Sequence, residues 1–284
     1  MLKYNEPMSK HCSLRSGGET SQFFQPVDIR ELSTFLKSNS KPILMVGLGS
    51  NLLVRDKGFN GVTIHTKNLK ELTISDNSIE SGAGTSLAKL SRFALANFKY
   101  GAEFLSAIPG SVGGALAMNA GAYGNETWEL VESVKTIDCD GNIHIRLPKE
   151  YEIEYRNVTG PSKEWFLSAI LRFEKDTKPS FEAMNKMLER RKSSQPLGLP
   201  SCGSVFRNPK GDYSARLIEA SGLKGYRIGG AEVSEKHANF IINRDNATAK
   251  DIEALIEYVR NTVFVKQGVS LKHEVHIVGK LLDD

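Results

Sequence analysis

The segment that most clearly suggests a ligand site runs from residue 104 to residue 125 and contains no charged side chain. Charged residues make up 25% of the chain, so an uncharged segment of this length is unusual. Its glycines Gly110, Gly113 and Gly114 can adopt positive φ angles and present backbone N–H groups to an anion. Prolines and glycines would interrupt a membrane-spanning helix here. The segment alone predicts either a tight turn before a buried helix or a wall of a ligand site.

A second glycine-rich segment, residues 47–51, follows the apolar run at 43–46. A dinucleotide-binding GxGxxG loop would need a third glycine where Leu52 stands, and a helix directly afterwards. A P-loop would need a Gly-Lys-Ser/Thr sequence, which does not follow. The N–H groups of this segment, with the Ser50 hydroxyl and the Asn51 amide, suit a pyrophosphate. A plain strand-to-strand turn is the alternative interpretation.

Composition disfavours several other functions. The 284 residues have a net charge of +4 with 33 acidic residues among the basic ones, which favours small anionic ligands over nucleic acid. Cys12, Cys139 and Cys202 are far apart and lack metal-site spacing, as in reduced cytoplasmic proteins. The histidines do not cluster as metal ligands, so we expect no metal site. The first residues lack the apolar run of a signal peptide, and we expect a cytoplasmic protein without membrane contact.

Local patterns predict the elements that hold these loops. Side chains that can cap a helix stand at Asp28, Thr85 and Thr248, and Asp251 completes the last of these caps. The helix after Thr248 has an apolar face formed by Ile252, Leu255, Ile256, Val259 and Val263. Turn residues around position 140 predict a β-hairpin. Other helical patterns cover residues 28–38, 85–97 and 181–192, and strand patterns cover residues 43–46, 52–54, 61–66, 79–84, 134–147, 165–174 and 269–278.

Seven segments that follow one another along nearly the whole chain are informative when taken together. They are residues 15–18, 47–61, 104–124, 155–156, 203–209, 233–240 and Glu274. Together they resemble the UDP-N-acetylenolpyruvoylglucosamine reductases, the bacterial enzymes that make UDP-N-acetylmuramate. The first flavin loop of that family is similar to residues 47–61 and the second to residues 104–124. Each segment alone is weak evidence, whereas seven in the right order are strong.

The resemblance implies an α+β fold with a two-lobed FAD-binding domain of the vanillyl-alcohol-oxidase (PCMH) type and a smaller α+β substrate domain. The implied lobes are residues 1–75 and 76–185, and the substrate domain is residues 195–284, whose C-terminal strand returns to the active site. The chain offers no counterpart of the tyrosine-bearing loop of the family's longer type, so it resembles the shorter type. A monomer is the family expectation.

The resemblance also implies a two-step reaction. NADPH reduces non-covalently bound FAD, and UDP-N-acetylglucosamine enolpyruvate then takes up hydride at C3 and a proton at C2. The implied role of the protein is to position the reactants and stabilise charge. The residues implied to bind FAD are Gly47, Gly49, Ser50, Asn51, Leu52, Pro109, Gly110, Ser111, Val112, Gly113, Gly114, Asn119 and Gly121.

Three residues match the family's catalytic positions. The resemblance implies that Ser204 donates the proton to C2, that Arg156 stabilises the developing enediolate, and that Glu274 supports the intermediate or its proton supply. Without the resemblance, Ser204 would be interpreted as a loop hydroxyl, Arg156 as a surface arginine and Glu274 as a half-buried strand carboxylate. The implied contacts of the UDP-sugar are Arg207, Asn208, Lys236 and Asn239.

Alternation predicts how the catalytic side chains are presented. On a short strand from Gly203, Ser204 and Phe206 share one face. On the C-terminal strand, Glu274 shares a face with His276. Many relatives have arginine where this chain has His276, so the local charge differs. Other departures from the family pattern are Val158, Cys12 and Leu48.

Two further functions remain open from the sequence. One is an FAD-dependent alcohol or sugar oxidase of the same fold, in which a histidine often tethers the flavin, although His65 is not convincingly placed for that. The other is a non-enzymatic binder of sugar nucleotides or nucleic acid. The mild charge and the lack of aromatic-basic clusters argue against nucleic acid.

Overall fold

The structure of the protein is a computed structural model that describes residues 1–175 and 181–280. The chain forms two compact units. The first unit comprises residues 1–2, 24–48 and 63–191, and the second comprises residues 3–23, 49–62 and the chain from residue 192. Each unit is therefore assembled from segments that are far apart in sequence. No helix in the two described ranges is long and apolar enough to cross a bilayer.

Short strands and six helices alternate along the described residues. The helices are α1 (Ile29–Ser38), α2 (Leu87–Ala96), α3 (Val112–Met118), α4 (Glu182–Ser194), α5 (Ser214–Ala220) and α6 (Ala249–Gln267). The strands are β1 (Leu2–Pro7), β2 (Glu19–Phe24), β3 (Ile43–Val46), β4 (Leu52–Val54), β5 (Phe59–His65), β6 (Leu72–Ile74), β7 (Ser78–Gly82), β8 (Lys99–Tyr100), β9 (Gly121–Ala122), β10 (Asn125–Glu126), β11 (Val131–Asp138), β12 (Ile143–Arg146), β13 (Glu152–Glu154), β14 (Asn157–Thr159), β15 (Glu164–Arg172), β16 (Glu174–Lys175), β17 (Arg227–Ile228), β18 (Ala231–Val233), β19 (Ile241–Asn243) and β20 (His276–Val278).

The first unit is built on an antiparallel sheet in the order β12-β11-β15-β7-β6. Helix α3 packs against β15 and β7. Helix α2 contributes Leu87, Leu90 and Ala94 to the same hydrophobic core. These positions recur every three or four residues, so they lie on one helix face. The same core contains Phe104, Val112 and Ala120, so it holds most of the uncharged segment that contains α3.

Two local predictions in the first unit are confirmed. Asp28 caps α1, because its carboxylate accepts a hydrogen bond from the Glu31 N–H at 2.8 Å. The predicted hairpin consists of β11 and β12. Its turn is held by the Asp138 carboxylate, which accepts hydrogen bonds from the N–H groups of Asp140 and Asn142, both at 2.9 Å.

The second unit packs α6 against β17, β18 and β19 and against α5. The predicted cap of α6 is confirmed: Thr248 Oγ1 accepts from the Asp251 N–H and the Asp251 carboxylate accepts from the Thr248 N–H, both at 3.0 Å. The Asp56 carboxylate adds bonds from the N–H groups of Ala249 and Lys250, at 3.0 and 2.8 Å. The predicted apolar face is buried along the helix. The start of α6 therefore also anchors the segment after β4.

Two predicted strands near the candidate catalytic residues are wrong. The strand expected over residues 269–278 is confined to β20, which pairs in parallel with β4, and the preceding residues have only one bridge, between His273 and Phe206. The strand expected from Gly203 is not formed. Gly203 has φ +76°, a left-handed conformation that turns the chain. Val205 and Phe206 are both 1% exposed, so the expected two-face alternation fails.

Two predictions about turns are also wrong. Ser86, not Thr85, caps α2, because its hydroxyl accepts from the backbone N–H three residues later, at 3.3 Å. Gly113 and Gly114 do not have positive φ angles, since both lie in the first turn of α3. Of the three glycines, only Gly110 has one, at +146°. The glycines in α3 therefore do not form the expected nest.

Candidate active site

The loop before α3 is the best-defined part of the predicted flavin site in the first unit. Ser111 caps α3, with its hydroxyl accepting from the Gly114 N–H at 3.4 Å. The N–H groups of Val112 and Gly113 donate to Thr85 O and Ala83 O, both at 2.9 Å. Three of the N–H groups expected to reach a cofactor are thus bonded within the protein. The expectation of a nest across the whole loop is wrong.

What remains at this loop fits part of an anionic cofactor. Within residues 1–175 and 181–280, the N–H groups of Gly110 and Ser111 donate to no protein acceptor. The Thr85 hydroxyl is buried and also lacks a hydrogen-bond partner. Gly47 lies against this loop so closely that a Cβ there would stand 2.0 Å from Ser111 Oγ. A phosphate or a flavin edge requires hydrogen-bond donors that are not used within the protein, next to backbone that it can approach closely. This loop offers both.

Residues 49–52, also expected to bind FAD, belong to the second unit, where they contact the segment that carries Glu274. Gly49 has φ +61°, and a Cβ there would stand 2.0 Å from His11 O, so only glycine fits. The Asn51 amide donates to Glu274 O at 2.8 Å, and the His276 N–H donates to Asn51 O at 3.0 Å. Leu52 pairs with His276 in the β4–β20 ladder. The loop therefore fixes the backbone that carries Glu274.

In the second unit, backbone hydrogen bonds of Val205 join the segment that carries Ser204 to the segment that carries Glu274. The carbonyl of Val205 accepts from the N–H groups of Glu274 and Val275, at 2.8 and 3.3 Å. The Val205 N–H donates to Asn239 O at 2.9 Å. Ser204 is partly exposed, and its hydroxyl has no hydrogen-bond partner among the residues that the structure describes. A hydroxyl on a fixed backbone beside a carboxylate-bearing segment can transfer a proton.

Asn239 is buried beneath this segment, with 3% of its surface exposed. Its Oδ1 accepts from the Phe206 N–H at 3.0 Å and its Nδ2 donates to Phe206 O at 2.8 Å. The amide thus pairs with the backbone two residues beyond Ser204. Asn239 holds the segment in place, whereas it was expected from the sequence to touch the UDP-sugar.

The other residues expected to touch the UDP-sugar make separate contacts within the second unit. Arg207 has a buried Nε without a hydrogen-bond partner. Asn208 Oδ1 accepts from the Ser214 N–H at 3.1 Å at the start of α5. Lys236 Nζ donates to Lys192 O at 2.7 Å and lines a cleft of about 420 Å³ in the second unit. Neither Ser204 nor Glu274 lines that cleft, so it does not mark the predicted chemistry.

Electrostatics keep two groups near Glu274 uncharged at neutral pH. Burial raises the pKa of the Cys202 thiol to about 12, and the negative charge of Glu274 contributes to the increase. Burial lowers the pKa of the His276 imidazole, and the positive charge of Arg207 lowers it further. His276 therefore adds no positive charge near Glu274 at neutral pH.

Arg156 lies in the first unit, in the turn between β13 and β14, with φ +57°. Its side chain is 14% exposed, so the alternative of a plain surface arginine is wrong. Nη1 donates to Asn119 O at 3.1 Å and Nη2 donates to Gly121 O at 2.7 Å. The guanidinium also lies 4.8 Å from the Tyr155 ring centre and 4.0 Å from Glu126 Oε1. Asn119 and Gly121, expected to bind FAD, thus contact Arg156.

Sequence reasoning missed Glu126 and Asp56. Glu126 is the first charged residue after the uncharged segment, and that position was the available signal. Asp56 gave no signal, because its partners in α6 are 193 and 194 positions away along the chain. Within the described ranges, no group of three or more His, Cys, Asp or Glu side chains is arranged to bind a metal ion.

Comparison with known proteins gives the family. Residues 22–145 match the model of an FAD binding domain, and residues 195–278 match that of the UDP-N-acetylenolpyruvoylglucosamine reductase C-terminal domain. A UDP-N-acetylenolpyruvoylglucosamine reductase from Alkalilimnicola ehrlichii is 48% identical over 98% of this chain and 95% of its own length. The chain belongs to the UDP-N-acetylenolpyruvoylglucosamine reductase family. A reductase of that name from Nitrosomonas eutropha is 49% identical over 98% of this chain and 89% of its own.

The fold agrees with the UDP-N-acetylenolpyruvoylglucosamine reductase assignment. The crystal structure of the Thermus caldophilus reductase superposes with a TM-score of 0.82 at 30% identity, covering 98% of both chains. The predicted combination of an FAD-binding domain and a reductase-type C-terminal domain in an α+β protein is confirmed.

Proposed function

We propose that this chain reduces UDP-N-acetylglucosamine enolpyruvate to UDP-N-acetylmuramate, with NADPH as the reductant and FAD as the resident cofactor. Family membership over 98% of the chain supports the reaction. The observation that supports the site assignment is the Ser204 hydroxyl, which has no hydrogen-bond partner among the described residues and lies on backbone bonded to the Glu274 segment. The predicted monomer, the cytoplasmic location and the division into two flavin lobes and a substrate domain remain part of the proposal.

Ser204 donates the proton to C2 of the substrate. Uptake of hydride at C3 leaves an electron pair at C2, next to the substrate carboxylate. The new C–H bond forms at C2 as the Ser204 O–H bond breaks, and the resulting alkoxide is reprotonated with the help of Glu274. A serine hydroxyl is a weak acid, but the C2 carbon is far more basic, and an oriented acid contributes about 10²–10⁴ in rate.

Arg156 stabilises the negative charge that develops on the substrate. A guanidinium stays charged throughout and pairs well with carboxylate oxygens, so it suits an enediolate. The two backbone carbonyls that accept from its Nη atoms hold the group in one orientation. A charge that is already oriented needs no reorganisation as the reaction proceeds, which is the main source of electrostatic catalysis.

The loop before α3 would hold part of FAD through the N–H groups of Gly110 and Ser111 and the hydroxyl of Thr85. Gly47 leaves the space that this approach requires. When bound, FAD accepts hydride from NADPH and passes it to C3 of the substrate. Arg207, Asn208 and Lys236 are proposed contacts of the UDP-sugar, and the contacts of Asn239 favour a role in positioning Ser204.

The test is the colour of the purified protein under anaerobic conditions. We expect a yellow protein that bleaches with NADPH and regains its colour on addition of the enolpyruvyl UDP-sugar. A protein that does not bind FAD would overturn the proposal. Rapid return of the colour in air without the UDP-sugar would instead indicate the alternative oxidase.

A further inference from the structure

We propose that Glu126 is a positioning residue for this reaction, acting on Arg156, and that Asn119 connects the two. The inference rests on the role proposed above for Arg156 and adds the groups that determine where its guanidinium lies. All three residues belong to the first unit. Glu126 lies at the end of β10, which pairs with β9, and its direct partner in that pair is Gly121.

Asn119 is the centre of the arrangement. It ends α3 in a left-handed conformation, with φ +45° and ψ +56°, and is 1% exposed. Its Oδ1 accepts from the Trp128 N–H at 3.2 Å. Its Nδ2 donates to Glu126 Oε2 at 2.6 Å and to Glu154 O at 3.2 Å. Both amide hydrogens and the amide oxygen are used, so the side chain cannot rotate without breaking a buried hydrogen bond.

The same backbone holds Arg156. The carbonyls of Asn119 and Gly121 accept from Nη1 and Nη2, which fixes the plane of the guanidinium. A Cβ on Gly121 would stand 3.1 Å from Nη1, so the guanidinium lies directly on the main chain. Glu126 Oε1 is 4.0 Å from the same Nη1. The carboxylate of Glu126 therefore contacts the Asn119 side-chain amide and also lies near the Arg156 guanidinium, which donates to the Asn119 backbone carbonyl.

The geometry of this ion pair suits a positioning role. The Arg156 side chain is 14% exposed and the Glu126 side chain 31%, so water screens this pair less than it screens a fully exposed pair. A bidentate pair would occupy the guanidinium fork that a substrate carboxylate needs. At 4.0 Å from one nitrogen, Glu126 orients the cation and competes only weakly with a substrate carboxylate. Neutralising Glu126 should therefore misorient Arg156 without removing its charge.

The experiment separates the two half-reactions by anaerobic stopped-flow absorbance of the flavin. For Glu126→Gln we expect reduction by NADPH to change by less than about twofold, and reoxidation by the enolpyruvyl UDP-sugar to slow about 10- to 100-fold, the effect of losing a hydrogen bond to a charged group. Glu129→Gln is the matched control. The exposed Glu129 carboxylate accepts from the Glu126 N–H at 2.9 Å, so the control disturbs the same turn, and both rates should stay unchanged.

A double-mutant cycle tests whether Glu126 acts through Arg156. In an Arg156→Ala background, Glu126→Gln should slow reoxidation by less than about a further twofold. An equal loss in both backgrounds, or an equal slowing of both half-reactions by Glu126→Gln, would overturn the inference. The Arg156→Ala single variant tests the role of Arg156 separately. Normal reoxidation in that variant would show that Arg156 does not have the proposed role. If Glu126→Gln does not fold with FAD, Glu126→Asp should slow reoxidation selectively, and unselective slowing refutes the inference.

Discussion

Asn239 determines where the Ser204 hydroxyl can lie, although it is buried and holds only backbone. Its amide bonds both the N–H and the carbonyl of Phe206, and its own carbonyl accepts from Val205. A buried donor or acceptor left unpaired costs about 1–3 kcal/mol, so the segment has little freedom to move away. The segment that carries Ser204 thus stays bonded to the Glu274 segment, because the Asn239 amide fixes Phe206 two residues further along the chain.

Replacement of the proton donor gives the prediction at this scale. Ser204→Ala should leave flavin reduction by NADPH nearly unchanged and slow reoxidation by the enolpyruvyl UDP-sugar about 10²–10⁴-fold, since only the second step needs a proton at C2. Single-turnover absorbance measurements at each step check this. Ser201→Ala is a suitable comparison in the same segment, because it removes a hydroxyl but leaves the bridge between residues 201 and 242 intact. Equal losses in both half-reactions of Ser204→Ala would indicate a structural role.

Among the elements, the loop 47–51 depends on the backbone conformation of one glycine. Gly49→Ala should destabilise the protein by more than the roughly 1–2 kcal/mol of a left-handed alanine, because its Cβ would stand 2.0 Å from His11 O. Gly268→Ala, with φ +70° and nothing within 4 Å of its Cβ, should show only the conformational cost. Thermal or denaturant unfolding of the two variants measures the difference. Similar destabilisation of both would show that the loop can adjust.

The β11–β12 hairpin should respond to acid. Burial raises the pKa of Asp138, but hydrogen bonds from His144, Asn142 and the Asp140 N–H outweigh it and lower the pKa to about 2, from 3.8. The native state therefore gains stability above pH 3.8, about 2 kcal/mol at most, and loses it as the pH falls towards 2. Asp138→Asn should remove this part of the pH dependence in urea titrations between pH 5 and 2. Asp140→Asn, at the tip of the same turn, should retain it.

The elements that could be predicted from the sequence are those specified by neighbours in the chain. Helix α6 is an example, because its capping residues and its apolar repeat lie within twenty positions of one another. The irregular segments that hold Ser204 and Glu274 could not be predicted, since they bond to each other and to Asn239 rather than forming ladders. The partnership of Glu126 with Arg156 likewise joins residues of two separate strand pairs, β9–β10 and β13–β14, which no local pattern connects.

At the scale of the whole molecule, the two units should differ in their response to mild acid. Burial lowers the pKa values of His237, His273 and His276, all in the second unit, below the ordinary 6.5. The unfolded chain then binds more protons than the native state as the pH falls below 6.5, so stability decreases. Hydrogen exchange should show α6 opening more readily at pH 5.5 than at pH 7, after correction for intrinsic rates. Amides of β15, in the first unit, serve as the internal reference and should change less.

The β4–β20 ladder also bears on how the protein is synthesised. The adjoining bond from the Asn51 amide to Glu274 O joins residues 223 positions apart, and a ribosome adds roughly 5–20 residues per second. The five-stranded sheet of the first unit has all its strands once residue 172 has emerged. During the rest of translation, β4 has no β20 to pair with and presents an open strand edge. The nascent chain therefore carries this unpaired edge until residues 276–278 have emerged, and binding by a chaperone would protect it from aggregation.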